Sequence, residues 1–235
     1  MVTAMVAFRR QNRPAPERQA VGVAVGKTRD EMWPVVVLLP VGYLLGNLPS
    51  AQLVARARGR DVLHEGSGNP GTSNVVRILG WKAGLLVLAL DIGKGAFAAG
   101  LGLAVGGRAG AFAVGLAALA GHVFPIGRKG GKGIAVAAGM LAVLYPLVAL
   151  ILAPVWFVVA RVFGWASLAS IVVTVAFPVL VALLGYARVE VAVVGVLAVL
   201  VLVRHATNIR RLLHGDELKL RGWSPPGADD GQSAA

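Results

Sequence analysis

Long apolar runs separated by short polar stretches dominate the chain from Met32 to Val203. The runs predict membrane-crossing helices near 33–55, 84–105, 109–126, 165–186 and 189–203, most close to the roughly 20 residues that span a bilayer. They are continuously apolar rather than alternating, which argues against a transmembrane β-barrel. The stretch 134–160 is ambiguous. As one helix it would be about 40 Å long, against a hydrocarbon core of about 30 Å. As two helices broken at Tyr145–Pro146, each would be short.

The basic residues choose between these. With the break, Arg56, Arg58, Arg60, Arg77, Lys82, Arg128, Lys129, Lys132, Arg161, Arg204, Arg210, Arg211, Lys219 and Arg221 share one face of the membrane. Only Arg108 and Arg188 fall on the other, as the positive-inside rule requires. The expected fold is therefore all-α: a polytopic integral membrane protein of seven transmembrane helices, with glycine-rich loops on the cytoplasmic side.

Composition agrees. The 235 residues are 57% hydrophobic and only 14% charged, where a soluble domain carries about 25% charged residues. The net charge of +12 does not point to nucleic acid, because the cations lie in short loops between apolar runs and no folded basic domain is present. The absence of cysteine excludes disulfides and thiolate chemistry.

Residues 1–31 carry six basic residues and no spanning run, and read as a disordered N-terminal extension. They fit a signal peptide poorly. The plainer reading is a disordered tail; placed outside the membrane it would oppose the charge rule, and the alternative reading is that translation starts at Met32. Residues 32–221 form the membrane domain and 222–235 a disordered C-terminal tail.

Two polar loops carry the candidate chemistry. Gly66–Ser67–Gly68–Asn69–Pro70–Gly71–Thr72–Ser73–Asn74, closing near Arg77, combines backbone-flexible glycines with Ser and Asn for a polyol and a guanidinium for phosphate. Arg128–Lys129–Gly130–Gly131–Lys132–Gly133 resembles a phosphate cradle. It is not a Walker loop, since Ile126 and Gly133 stand at its key positions. The plainer readings are a turn-rich connection for the first loop and a topology-setting basic loop for the second.

Asp91 and Lys94 share a helical face inside the second span, as a functional site or a mutual ion pair. His205 and Asn208 share a face after the last span, and His122 precedes the basic loop. No histidine has an aspartate five residues later, so the His-x4-Asp pair of acyl-CoA enzymes is missing. There is no Gly-x-Ser-x-Gly elbow and no run of clustered metal ligands.

Six segments resemble one family in order: Tyr43–Ser50, Gly66–Arg77, Asp91–Gly95, Gly121–Pro125, Lys129–Gly133 and Arg204–Leu213. They are similar to the bacterial acyl-phosphate-dependent membrane glycerol-3-phosphate acyltransferases, the PlsY family. The resemblance implies seven spans with the N-terminus outside, and an active site facing the cytoplasm of a bacterial plasma membrane. It implies acyl transfer from acyl-phosphate to the 1-hydroxyl of glycerol 3-phosphate, giving lysophosphatidate and phosphate, with no cofactor.

By resemblance Ser67, Arg77, His205 and Asn208 are catalytic. Asn69, Gly71, Asn74, Lys129, Gly130, Gly131, Lys132 and Gly133 bind substrate. Asp91, Lys94, His122 and Glu217 support the site. The family usually has Ala-Thr-Asn where this chain has Thr72–Ser73–Asn74, and an aromatic where it has Arg128. The competing class is a small-anion transporter, which should show internal repeats and broken helices meeting at the midplane. A related enzyme with another acceptor is the remaining alternative.

Overall fold

The computed structural model describes residues 29–220. The expected N-terminal extension, almost all of it, and the expected C-terminal tail lie outside the described residues. Every element described is helical: α1 (Arg29–Gly46), α2 (Ser50–Arg56), α3 (Thr72–Leu79), α4 (Trp81–Val123), α5 (Ile134–Leu144), α6 (Pro146–Phe163), α7 (Ala166–Leu183), α8 (Arg188–Arg204) and α9 (Ala206–His214). Among the described residues, four helical stretches are long and apolar enough to cross a membrane. A fifth is added if α8 and α9 count as one span across their 58° bend.

α4 spans 43 residues but is not straight. At Gly107 the backbone takes φ 61° and ψ −153°, which only glycine adopts without strain. A Cβ on Gly102 would lie 2.1 Å from the Gly110 carbonyl oxygen. Eight residues of straight helix would separate those positions by about 12 Å. The chain therefore doubles back at Gly107, and the two apolar runs expected at 84–105 and 109–126 pack against each other.

Small residues set the other close crossings. A Cβ on Gly139 would meet the Ile92 carbonyl oxygen at 2.0 Å, and one on Gly121 the Tyr43 carbonyl oxygen at 2.0 Å. α5 thus seats on the first half of α4, and α1 on the second half. Such contacts suit a membrane, where association depends on close packing rather than on burial from water.

The helix breaks at Tyr145, where the sequence places the break. α5 ends at Leu144 and α6 starts with Pro146, whose missing N–H costs nothing in a first turn. Tyr145 is fully buried, edge-on to Phe112, Phe177 and Tyr186. Its hydroxyl donates to Glu190 at 2.8 Å. Arg108 forks onto Glu190 at 2.9 and 2.6 Å and donates to the Leu144 carbonyl at 3.0 Å. One cluster thus gathers the turns at Gly107, Tyr145 and 184–187 at one end of the bundle. The opposite end gathers 47–49, 57–71, 124–133, 164–165 and 205–220.

The first span, expected at 33–55, runs from Trp33 to Arg56, with its helix interrupted at Asn47–Pro49 between α1 and α2. One expectation changes: the polar stretch 66–77 is not all loop, because α3 begins at Thr72 and carries Asn74 and Arg77.

Candidate active site

Asn74 is buried in α3 and spends its amide on the preceding loop. Its Oδ1 accepts the Ser67 N–H at 2.8 Å, and its Nδ2 donates to the Val62 and Glu65 carbonyls, each at 3.0 Å. The loop closes over α3 and presents Asn69 and Gly71 beside the helix N-terminus. Arg77, one turn on, donates from Nε to the Lys219 carbonyl at 3.1 Å and from Nη2 to the Leu218 carbonyl at 2.8 Å. Burial pushes the Arg77 guanidinium pKa down.

The second loop is held from behind. Arg204 donates to the Gly130 and Gly131 carbonyls at 3.3 and 3.2 Å, and its guanidinium lies over the Phe124 ring. The Gly131 N–H donates to the His122 carbonyl at 3.1 Å, and a Cβ there would sit 2.2 Å from His122 Nε2. Glycine is required by that approach. Gly133, at φ 89°, turns the chain into α5, which has no side-chain cap. Its first-turn N–H groups are those a helix leaves without intrahelical partners, a natural anion site.

Between these loops runs a buried polar chain. Lys132 donates to Asn208 Oδ1, and Asn208 Nδ2 donates to Glu217 Oε1 at 2.7 Å. Glu217 also accepts from Ser167 at 2.9 Å and from Arg211 at 2.9 Å. Burial lowers the Lys132 pKa to about 8, with Arg211, Arg77 and Arg204 adding to the shift against the opposing Glu217. His205 is buried with Nδ1 2.8 Å from the Val201 carbonyl. In a neutral ring that contact places the proton on Nδ1 and leaves Nε2 as the acceptor.

A cavity of about 670 Å³ opens among these groups. At its polar end lie Asn69, Gly71, Arg77, Lys132, His205 and Asn208, with Gly133, Asp91 and His122 also in its wall. Its body is apolar, formed by α4 to α8 with Leu88, Leu141, Leu152, Phe177 and Leu197. A few hydroxyls, Ser167, Ser170 and Thr174, interrupt it.

The structure does not bring every candidate to this cavity. Lys129, Gly130 and Gly131 line a smaller polar crevice with Asn47 and Arg128, which shares Asp91 and His122 with the cavity. Ser67 and Asn74 stand behind the wall, as does Glu217. Asp91 and Lys94 are buried as an ion pair at 2.8 Å, and Lys94 donates to the Leu48 carbonyl at 2.8 Å, tying α4 to the end of α1.

Ser167, which nothing in the sequence singled out, lines the cavity and donates to Glu217; Thr72 of the first loop lines it too, and Arg204, at the start of the last segment, braces the second loop. Among the described residues, no group of three or more histidine, aspartate or glutamate side chains is placed to hold a metal ion.

A family model described as glycerol-3-phosphate acyltransferase matches residues 36–215. A glycerol-3-phosphate acyltransferase of Salinibacter ruber is 36% identical over 83% of this chain and 96% of its own length. One of Rubrobacter xylanophilus is 42% identical over 82% of this chain and 98% of its own length.

The crystal structure of PlsY (YgiH), an integral membrane glycerol 3-phosphate acyltransferase, in its glycerol 3-phosphate form superposes with a TM-score of 0.76. It is 36% identical and covers 80% of this chain and 96% of that one. Its lysophosphatidic acid form gives 0.73 at 36% identity, over 79% and 95%. Matched by the family model over residues 36–215, by relatives 36–42% identical over most of both chains and by a solved structure with the same helical frame, this chain belongs to the glycerol-3-phosphate acyltransferase family.

Proposed function

We propose that this protein transfers an acyl group from acyl-phosphate to the 1-hydroxyl of glycerol 3-phosphate, yielding lysophosphatidate and inorganic phosphate. One observation carries the reading: a single cavity joins a cationic polar end to an apolar body lying between membrane-type helices. That shape suits a donor with a phosphate head and an acyl tail, and a small anionic acceptor. The names of the related proteins supply the acceptor.

Both substrates are anions. Arg77 and Lys132, with the first-turn N–H groups of α3 and α5, offset their repulsion and hold the phosphates near each other. The acceptor hydroxyl oxygen attacks the acyl carbonyl carbon. The bond from that carbon to the phosphate oxygen breaks, and phosphate leaves with the electron pair. Fixed donors stabilise the charge that grows on the carbonyl and leaving oxygens. His205 Nε2 takes the hydroxyl proton, because Val201 holds the other ring nitrogen. The donor is already activated, so positioning supplies much of the rate. Asn208, fixed by Glu217, keeps Lys132 at the cavity.

The chain passes between the two ends of the bundle seven times. Arg108 and Arg188 lie at the far end, while the basic loops lie at the site end. By the charge rule the site faces the cytoplasm of a bacterial plasma membrane. A transporter would need a path to both ends, and behind Phe177 in the cavity wall lies the fully buried Tyr145 of the far-end cluster.

Purified protein in detergent, supplied with acyl-phosphate and glycerol 3-phosphate, should form lysophosphatidate. No product from an active-site-intact, folded preparation would refute the assignment.

A further inference from the structure

α8 ends at Arg204, and α9 follows it at once, bent away by 58°. Nine residues of helix rise about 13 Å, so with α8 upright α9 climbs only about 7 Å from the membrane. The headgroup layer on each side of a bilayer is about 5–7 Å thick. The bend therefore keeps α9 at the depth of the lipid headgroups, at the site end of the bundle.

The residues of α9 sort into three faces. Asn208 is buried against the protein. At about 100° per residue, Leu212, Ile209 and Leu213 fall about 40°, 100° and 140° to one side of Asn208. Arg211, Thr207, His214 and Arg210 fall about 60°, 100°, 120° and 160° to the other. The first flank is apolar and ends in Leu213, 80% exposed, more than any other large apolar side chain among the described residues. On the second, Arg211 is taken by Glu217, while Thr207, Arg210 and His214 are exposed. The helix contains no acidic residue.

An exposed leucine flank costs free energy in water and is stabilised in the acyl region of a bilayer. An arginine beside it can lay its stem on that region and reach the phosphates with its guanidinium. A cationic flank without acids selects an anionic lipid surface.

We propose that α9 is an interfacial anchor, with Ile209 and Leu213 seated among lipid acyl chains and Arg210 on the phosphates of anionic lipids. The same helix carries Asn208, which holds Lys132 at the cavity, so the seating also steadies the site. That last consequence rests on the proposed acyl transfer, whereas the seating does not.

The full-length protein is placed in nanodiscs of phosphatidylcholine, with or without phosphatidylglycerol. Spin labels on Leu213→Cys and Thr207→Cys read depth, and both residues are exposed, so neither substitution disturbs packing. Oxygen, which concentrates among acyl chains, should relax the label at 213 more strongly. A water-soluble nickel chelate should relax the label at 207 more strongly. In parallel, the wild-type kcat/KM for glycerol 3-phosphate should rise about threefold to fivefold with phosphatidylglycerol, as expected of one cation near an anionic surface. Arg210→Gln should lose that rise and Arg210→Lys should keep it.

The inference is overturned if both labels sit in water, as a protein-binding face would leave them. It is also overturned if the wild type gains less than about twofold from the anionic lipid, or if Arg210→Gln gains as much as the wild type. No acyl transfer in either lipid would instead defeat the proposed reaction, and the two labels would still decide where α9 lies.

Discussion

The side-chain oxygen of Asn74 accepts the backbone N–H of Ser67 at 2.8 Å, so a residue inside α3 fixes the loop that precedes it. Three hydrogen bonds from one amide hold that loop. At about 1 kcal/mol each, Asn74→Ala should lower stability by about 3 kcal/mol. Asn74→Asp sets a carboxylate oxygen against the Val62 and Glu65 carbonyls, so it should be at least as destabilising as Asn74→Ala. Thermal unfolding in detergent measures the order, and a wild-type melting temperature for Asn74→Ala would contradict it.

Arg77 bridges α3 to the segment 218–219 while lining the cavity. Arg77→Ala should lower kcat/KM about 100-fold, and Arg77→Lys should recover little, since an ammonium cannot replace the planar fork. Steady-state kinetics on folded protein decide this. Unchanged kinetics in Arg77→Ala would confine the residue to topology.

On the proposed reaction Lys132, whose pKa burial lowers to about 8, should set a basic limit on activity. Burial disfavours its ammonium, so the charge is present below about pH 8 and lost above it. The kcat/KM for glycerol 3-phosphate should therefore fall as pH rises past 8, because this ratio reports groups of the free enzyme. Lys132→Arg stays charged and should lose that descending limb, whatever its absolute rate. A limb unchanged in Lys132→Arg would assign it to another group.

The cluster at the far end of the bundle serves the fold. Arg108 is 43% exposed on its side chain and Glu190 17%, so solvent screening discounts their pair to about 1 kcal/mol. Arg108→Ala should lower the melting temperature by about 2–4 °C and leave KM for both substrates unchanged. A changed KM would mean that this end communicates with the cavity.

Much of this architecture was legible because apolar runs and loop charges carry topology directly. The break at Tyr145–Pro146 followed from run length and from the arginines on either side of it. The turn at Gly107 is equally visible, since Gly106–Gly107–Arg108 interrupts an apolar run. The helix break at Asn47–Pro49 lies in Gly46–Asn47–Leu48–Pro49–Ser50, a run of turn-forming residues inside a stretch that is still long enough to cross.

Within the site, residue type showed which groups can meet an anion, but not which of them face one. Asn69, Asn74 and Lys129 look alike as loop polar residues. Yet Asn69 lines the cavity, Asn74 is spent on backbone, and Lys129 faces the smaller crevice. Arg204 looked like a topology residue, and only tertiary packing carries it to the Gly130 and Gly131 carbonyls.

Orientation can be read with single cysteines, since the chain has none of its own. Ala57, Ile126 and Ala206 are exposed at the site end, and Ala109 and Ala187 at the other. In intact cells a membrane-impermeant thiol reagent should label cysteines at 109 and 187 alone. Labelling at 206 without 57 and 126 would break the seven-crossing path.

The central claim is the donor. Purified protein given glycerol 3-phosphate is offered either acyl-phosphate or acyl-CoA of the same chain length, and lysophosphatidate and released phosphate are both counted. The account predicts one phosphate released for each lysophosphatidate formed from acyl-phosphate, and negligible product from acyl-CoA. Equal or faster turnover with acyl-CoA would contradict it.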